Sequence, residues 1–422
     1  MNDKDNTVLG KRKRHIGRRL RRKQYANQDR PMLAASNVQY EMADRARAID
    51  CGAVGAFHML ARRVGLVAAI DRRLHVLNIA YNTLGGGTCL DDIESRRSDG
   101  AYMDALRAER IPDPTTAGDF LRRFSAHDVI ALMEAINTIR PKVWSKRLTR
   151  QQLNQAVIDL DGTIAPTTGR CKQGMGLAYN GVWGYHPLIV SLANTNELLY
   201  LVNRPGNRPS HEGAAQWADR GVALARRSFR GVCLRGDTDF SLTGHFDRWS
   251  EDGVQFAFGY DARENLVRIA EGMEQGAWTP LKRRARYDRK GPRRARPDNI
   301  KEDIVVQRGY KNIRTEGEQV TELTYRPTKC KRTYRMIVLK KDLSVSSGQQ
   351  HMFDETRYFF YITNIEDMSP TELVYFYRQR CNQENLIEQL KNGLNALRMP
   401  TGGLVSNPRS SVLFRFGAFV VC

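Results

Sequence analysis

Three carboxylates in this sequence stand where phosphate chemistry could use them. Asp161 ends the apolar run "NQAVIDLDGT", Asp237 ends "GVCLRGDTDF", and Glu384 lies within "YFYRQRCNQENLIEQLKNG", residues 375–393. Runs of the first two kinds read as β-strands, and ligands collect at the carboxyl ends of strands in open α/β sheets. Three carboxylates converging there suit Mg²⁺, which takes one or two carboxylates per ion plus waters and phosphate oxygens. Two such ions can activate an attacking oxygen and stabilise the leaving one, with Mn²⁺ a plausible substitute. Each Asp alone is as well explained by a turn or a helix cap. The conjunction carries the meaning.

The third carboxylate has companions. Tyr377, Arg380, Glu384 and Lys391 fall at i, i+3, i+7 and i+14. At about 100° per residue the four lie within roughly 60° of one another on a helix. Ser369-Pro370-Thr371-Glu372 supplies an N-cap, a proline at the first helical position and a glutamate at N3; Gly393 sits where a C-terminal cap is expected. One uninterrupted helix is therefore predicted. The plainer reading of the stripe is a solvated face with an Arg380–Glu384 i,i+4 pair.

These residues need elements to hold them. From residue 154 onward the texture alternates: a strand ending in Asp161, strands in "HPLIVSLANT" and "LLYLVNRPG", an amphipathic helix in "HEGAAQWADRGVALARRSF", then the strand ending in Asp237. Three adjacent strands, a helix and a fourth strand is the order of a ribonuclease-H-like sheet. The predicted fold class is α/β, a ribonuclease-H-like catalytic core with a β-rich insertion, preceded by a helical N-terminal DNA-binding region. Its parts are a basic disordered arm (1–30), the helical region (31–150), the first part of the core (151–278), the basic β-rich insertion (279–345) and the second part of the core with the Glu384 helix (346–422). Around Pro112-Asp113-Pro114, a capping box at Thr116–Asp119 opens a basic helix that suits a helix-turn-helix-like contact; a plain helical bundle fits equally well.

Bulk composition narrows the partner. The chain has 422 residues, 41% of them hydrophobic, and a net charge of +21. That is enough to bury large cores, and so basic a protein normally meets a polyanion, nucleic acid first. The segment "LKRRARYDRKGPRRARP", with Arg283, Arg284, Arg293 and Arg294, reads as a surface that tracks phosphates rather than reading bases. No window reaches the ~18–20 apolar residues that span a bilayer, and the early run "KRKRHIGRRLRRK" does not read as a signal peptide. Seven scattered cysteines without CxxC spacing argue against a disulfide or zinc framework and for a reducing, cytoplasmic compartment. Trp249 and Trp278 are either core residues or stacking platforms for a displaced base.

At these residues the sequence resembles the DDE transposases of bacterial insertion sequences, in the branch whose late helix carries a Y-R-E-K signature (the insertion-sequence-four superfamily). Tyr377, Arg380, Glu384 and Lys391 match that signature's spacing, and "HVLNIAYN", "GGTCLDDIE", "IPDPTTAGDFLRRF", "LDGT", "RPGNRPSHEGA" and "LRGDTDF" extend the likeness over roughly 75–400. The resemblance implies Asp161, Asp237 and Glu384 as the metal-binding catalytic triad, with Tyr377, Arg380 and Lys391 as contacts to phosphate or end DNA. It further implies cut-and-paste transposition through a hairpin intermediate, terminal inverted repeats and target DNA as partners, a homodimer on DNA, and residence at the bacterial nucleoid. Two departures stand out. Asp239 occupies a position where such proteins more often carry a small residue, and the chain stops inside the apolar run "VLFRFGAFVVC", as if a packing helix were cut short.

Two alternatives share these features. A catalytically inactive, DNA-binding relative has the same composition. "VIDLDGT" is also the D-x-D-G-T loop of haloacid-dehalogenase-like phosphatases, in which Asp159 would be the nucleophile and Asp161 the acid/base. The long basic stretch and the Y-R-E-K helix that follow are foreign to a small-molecule phosphatase.

Overall fold

The computed structural model describes residues 51–70, 74–123, 125–168, 172–282, 311–347, 350–393 and 396–397. The basic arm, Arg283, Arg284, Arg293 and Arg294, and the final apolar run lie outside them.

The first described part is helical: α1 (Val54–Arg63), α2 (Leu66–Ala69), α3 (Leu74–Leu84), α4 (Ile93–Ser98), α5 (Gly100–Leu106), α6 (Pro114–Arg123), α7 (Ala126–Asn137) and α8 (Arg140–Arg147). The expected capping box at Thr116–Asp119 is corrected. Helix α6 starts a turn earlier, and Asp113 caps it by accepting the Thr116 amide (2.9 Å) and hydroxyl (2.8 Å). Pro114 at the first helical position needs no amide partner, which is why the start moves back to it. The reciprocal box belongs instead to α7, between Ser125 and Asp128.

Buried polar contacts join these helices to the sheet. Arg140 ion-pairs with Glu197 and donates to the Leu198 carbonyl (2.8 Å), while the Trp144 indole donates to Glu197 (2.9 Å).

The strands are β1 (Gln155–Gly162), β2 (Ala165–Pro166), β3 (Gly176–Leu177), β4 (Trp183–Tyr185), β5 (Leu188–Leu192), β6 (Glu197–Val202), β7 (Gly231–Gly236), β8 (Val254–Tyr260), β9 (Thr279–Pro280), β10 (Lys311–Tyr325), β11 (Tyr334–Ser347) and β12 (Gln350–Thr363). One mixed sheet runs β6-β5-β1-β7-β8-β12-β11-β10-β9, and β2-β4-β3 form a small second sheet. Strand β5 runs antiparallel to both β6 and β1; β7 and β8 run parallel to β1. Strand β12 pairs with β8, β11 with β12 and β10 with β11, so this β-rich stretch extends the core sheet.

Helices cover the sheet because its strands are apolar on both sides. Helix α9 (Ala214–Ala225) lies on one face. A Cβ on its Gly221 would stand 3.4 Å from both Ile158 and Val190, so the bare glycine lets the helix approach closely. Helices α10 (Phe246–Glu251) and α11 (Glu264–Glu271) share the core cluster that holds Ile158 and Val190, through Phe246, Trp249, Leu266 and Ala270. The opposite face carries α12 (Pro370–Arg378) and α13 (Asn382–Glu388), which share core clusters with the sheet: Leu373 and Val374 with Cys233 and Ile337, and Leu386, with Leu390 just past α13, with Ile189 and Leu201. Among the described residues no helix is long and apolar enough to cross a membrane. Trp249 is core, its indole donating to Asp219 (2.8 Å); Trp278 is half-buried beside Tyr358.

Candidate active site

Strands β1 and β7 are parallel neighbours, in register from Gln155–Gly231 to Leu160–Gly236, so their carboxyl ends meet at one edge. Asp161 and Asp237 stand there. Asp161 is half-buried and accepts its neighbour's amide, Gly162 N, at 2.8 Å. Asp237 caps the 3₁₀ turn Thr238–Phe240, accepting the Asp239 amide at 3.0 Å. Burial pushes the Asp161 carboxyl up to about 6; Arg380 opposes the shift, and the charges of Asp237 and Glu384 add to it. Burial also raises Asp237, again opposed by Arg380. The two aspartates therefore share a guanidinium.

That guanidinium comes from the opposite face. The capping box of α12 forms as the sequence implies, with Ser369 and Glu372 exchanging backbone bonds and Pro370 at the first position. The expected single helix is corrected: a 3₁₀ turn (Gln379–Cys381) separates α12 from α13, and a π turn (Gln389–Gly393) follows α13. Gly393 lacks the positive φ of a left-handed cap. These irregular turns break the even 100° spacing on which the four-residue stripe was drawn.

Arg380 does not pair with Glu384. It is largely buried and reaches Asp161 at 3.5 Å, lying 5.9 Å from the centre of the Tyr377 ring. Tyr377 packs on Tyr361 with the rings tilted and their centres 4.5 Å apart, and its hydroxyl lies 2.8 Å from where a Cβ on Gly259 would be. A side chain at 259 would expel it. Burial raises the Tyr377 hydroxyl, so it stays protonated at neutral pH. Glu384 is exposed on α13, and Lys391 is half-buried in the π turn. The donor chemistry, three hard carboxylates, fits Mg²⁺. Among the described residues, however, no three His, Cys, Asp or Glu side chains stand close enough to form a metal-holding group. Asp237 and Glu384 are each in electrostatic reach of Asp161, with Arg380 beside the two aspartates.

A family model described as "Transposase DDE domain group 1" matches residues 71–420. The chain belongs to this family of DDE transposases. Among solved structures, the chain is similar to the cryo-EM structure of a piggyBac transposase synaptic complex with hairpin DNA. The identity is 10% and the TM-score 0.34, over 92% of this chain and 70% of that one. No curated protein gives a match.

Within this transposase, two residues that the sequence did not single out fix the site. Arg235 stands opposite Asp159 in the β1–β7 register and grips both its oxygens, at 2.7 and 2.9 Å. Both side chains are almost fully buried. Arg235 also donates to the Phe376 carbonyl at the end of α12 and lies over the Phe376 ring at 4.7 Å. Gln383 donates to the Asp159 carbonyl (3.1 Å) and to Ser191 (2.9 Å). Together they clamp both ends of the segment that carries Arg380 to the sheet. One signal was available: an arginine inside an apolar strand needs a carboxylate, and Asp159 and Arg235 each stand two residues before a strand-end aspartate. The same geometry disposes of Asp159 as a phosphatase nucleophile, because both oxygens are held by Arg235 in a site closed to solvent.

Beyond Asp237 opens a cavity of about 430 Å³ lined by His211, Thr238, Asp239, His245, Arg263 and Lys329, among others. Its walls mix two cations, Arg263 and Lys329, with two carboxylates, Asp239 and Asp261.

Proposed function

We propose that this chain is a DNA transposase that binds the terminal inverted repeats of its own element and performs metal-dependent strand cleavage and strand transfer. The observation that carries this reading is the convergence at one sheet edge of Asp161 and Asp237 with Arg380, brought there by the helical segment that also bears Glu384. The strand order around β1 supports a ribonuclease-H-like core. Asp161, Asp237 and Glu384 would hold Mg²⁺, or Mn²⁺ in its place.

When bound, the metal supplies Lewis-acid stabilisation of charge on the reacting phosphate and a lower pKa for the attacking water. The protein's own groups do the rest. Asp161 is mostly ionised above pH 6. Arg380, whose planar fork matches phosphate oxygens, can exchange its carboxylate partner for the scissile phosphate. Tyr377 supports it as a neutral hydroxyl, and Lys391 contributes a point charge further along. The basic segment with Arg283, Arg284, Arg293 and Arg294 tracks the DNA backbone, as does the helical region of 31–150. Two ends require two active sites, hence a homodimer on DNA at the nucleoid, with a hairpin intermediate in the excision step.

The test is to incubate the protein with labelled end DNA in Mg²⁺, Mn²⁺ or EDTA and map the cut strands. Cuts at the element boundary that need the metal support the proposal. Specific binding without cleavage in either metal supports the inactive DNA-binding relative instead.

A further inference from the structure

Between Asp161 and β5 the chain makes a small three-stranded sheet with an apolar face that is left exposed among the described residues. Leu177 and Trp183 are cross-strand partners, 49% and 55% exposed, and Tyr179 in the connecting turn is 90% exposed. The turn itself is ordered. Ala178 and Val182 close it (2.9 Å), Asn180 accepts the Val182 amide, and Gly181 takes the positive φ it requires. Three exposed apolar side chains on so short a hairpin are not the scattered singles of an ordinary surface.

The hairpin is fixed to the loop that helps line the cavity next to Asp237. Gly176 turns its bare Cα toward the Asn207 backbone, where a Cβ would come within 2.9 Å. By strand alternation, Leu177 and its partner Trp183 then point the other way, to solvent. Gly206 sits so close to the carbonyls of Gly176 and Gly184 that no side chain fits there. Arg204 holds the same loop through the Ser210 (2.8 Å) and Glu212 (2.9 Å) carbonyls. His211 of that loop lines the cavity next to Thr238 and Asp239, one residue from Asp237. From Asp161 to Ala165, where β2 begins, four residues span at most ~14 Å. Trp183 therefore lies within roughly 25 Å of the catalytic edge.

We propose that Tyr179 and Trp183 form a stacking platform for unpaired bases of the DNA strand leaving the active site. This rests on the transposase reading above. Aromatic faces recognise bases that have left the duplex stack and tolerate any sequence, whereas a duplex offers only edges and phosphates. The net charge of +21 draws DNA to the surface, and the platform supplies the apolar contact that charge cannot. A second copy of the chain is a poorer occupant. The three side chains offer on the order of 400 Å² against the ~800 Å² per partner of a stable interface.

The test compares wild type, Tyr179→Ala/Trp183→Ala and Tyr179→Phe/Trp183→Phe by fluorescence anisotropy. The probes are a labelled single-stranded oligonucleotide and its blunt duplex at fixed salt. The Ala pair is expected to lose about tenfold or more in affinity for the single strand and less than twofold for the duplex, with the Phe pair near wild type. An unchanged melting temperature checks that the fold is intact. If wild type binds DNA and the Ala pair binds the single strand equally well, the platform is overturned while the transposase reading stands. Equal losses on both probes, or a dimer that falls to monomer in light scattering with single-strand affinity unchanged, also overturn it. If wild type binds neither probe, both readings fail together.

Discussion

Strands β1 and β7 each bring two charged residues of consequence, two positions apart on or just past the strand, and the pairs have opposite fates. Asp159 and Arg235 lie in the sheet interior, almost wholly buried and bidentate. Asp161 and Asp237 lie at the edge, half-buried, repelling each other and sharing Arg380 at long range. The inner pair closes on itself and holds the helix; the outer pair is left under-compensated, open to a cation or a phosphate. Residue type alone does not separate a latch from a reactive site. Register and depth along the strand do.

The largest expected effect is on the outer group. Asp237→Asn and Glu384→Gln should each lower Mg²⁺-dependent nicking of end DNA by about 100-fold or more, the order seen when one preorganised electrostatic group is removed. Binding in a gel-shift assay should stay within a few-fold. If Glu384→Gln nicks at the wild-type rate, α13 holds a charged surface residue and nothing more.

Next comes the inner pair. Arg235→Met leaves Asp159 as an unpaired buried charge and removes the tie to Phe376, at a cost of about 3–5 kcal/mol by chemical denaturation. A loss under 1 kcal/mol would show that the latch adds nothing to the fold.

A third effect concerns pH. The folded pKa of Asp161 is raised from 3.8 to about 6. The folded state thus holds a proton that the unfolded chain releases near pH 4. This group's contribution to stability falls as pH rises from 4 to 6, then levels off. Metal-free Asp161→Asn should recover up to about 3 kcal/mol at pH 7.5, seen as a higher melting temperature. At limiting Mg²⁺, cleavage by wild type should fall below pH 6, as the proton competes with the metal for Asp161. A rate flat down to pH 5 would contradict that.

The smallest effect sharpens the role of Arg380. Removing its charge takes away the main force holding Asp161 down, so Arg380→Ala should move the acidic limb of the pH–rate profile upward by a fraction of a unit. Its melting temperature should change little, because the ion pair at 3.5 Å is long. An unmoved limb would mean that Arg380 does not face Asp161 in solution.

How much of this was legible follows from the range of each interaction. The capping box at Ser369–Glu372 and the strands ending in Asp161 and Asp237 are local and could be read directly. The 3₁₀ turn at Gln379–Cys381 is local too, but no Gly or Pro marks it; the segment is held at either end by Arg235 and Gln383, contacts 141 and 224 residues distant in sequence. The Asp159–Arg235 pair needs the β1–β7 register, which alternation alone does not give. Nor did the β-rich run reveal that it continues the core sheet, since alternation shows which face is apolar and not which strand is the neighbour.

The most direct measurement sets Asp159→Asn beside Asp161→Asn, identical changes two residues apart. Each is followed by thermal melting without metal and by Mg²⁺-dependent nicking of labelled end DNA. The account predicts that Asp161→Asn melts at or above the wild-type temperature, binds DNA and does not cut it. Asp159→Asn should melt well below wild type, and its folded fraction at low temperature should still cut. The reverse pattern, a stable and inactive Asp159→Asn with an active Asp161→Asn, would contradict the assignment of the outer carboxylate to chemistry and the inner one to the latch.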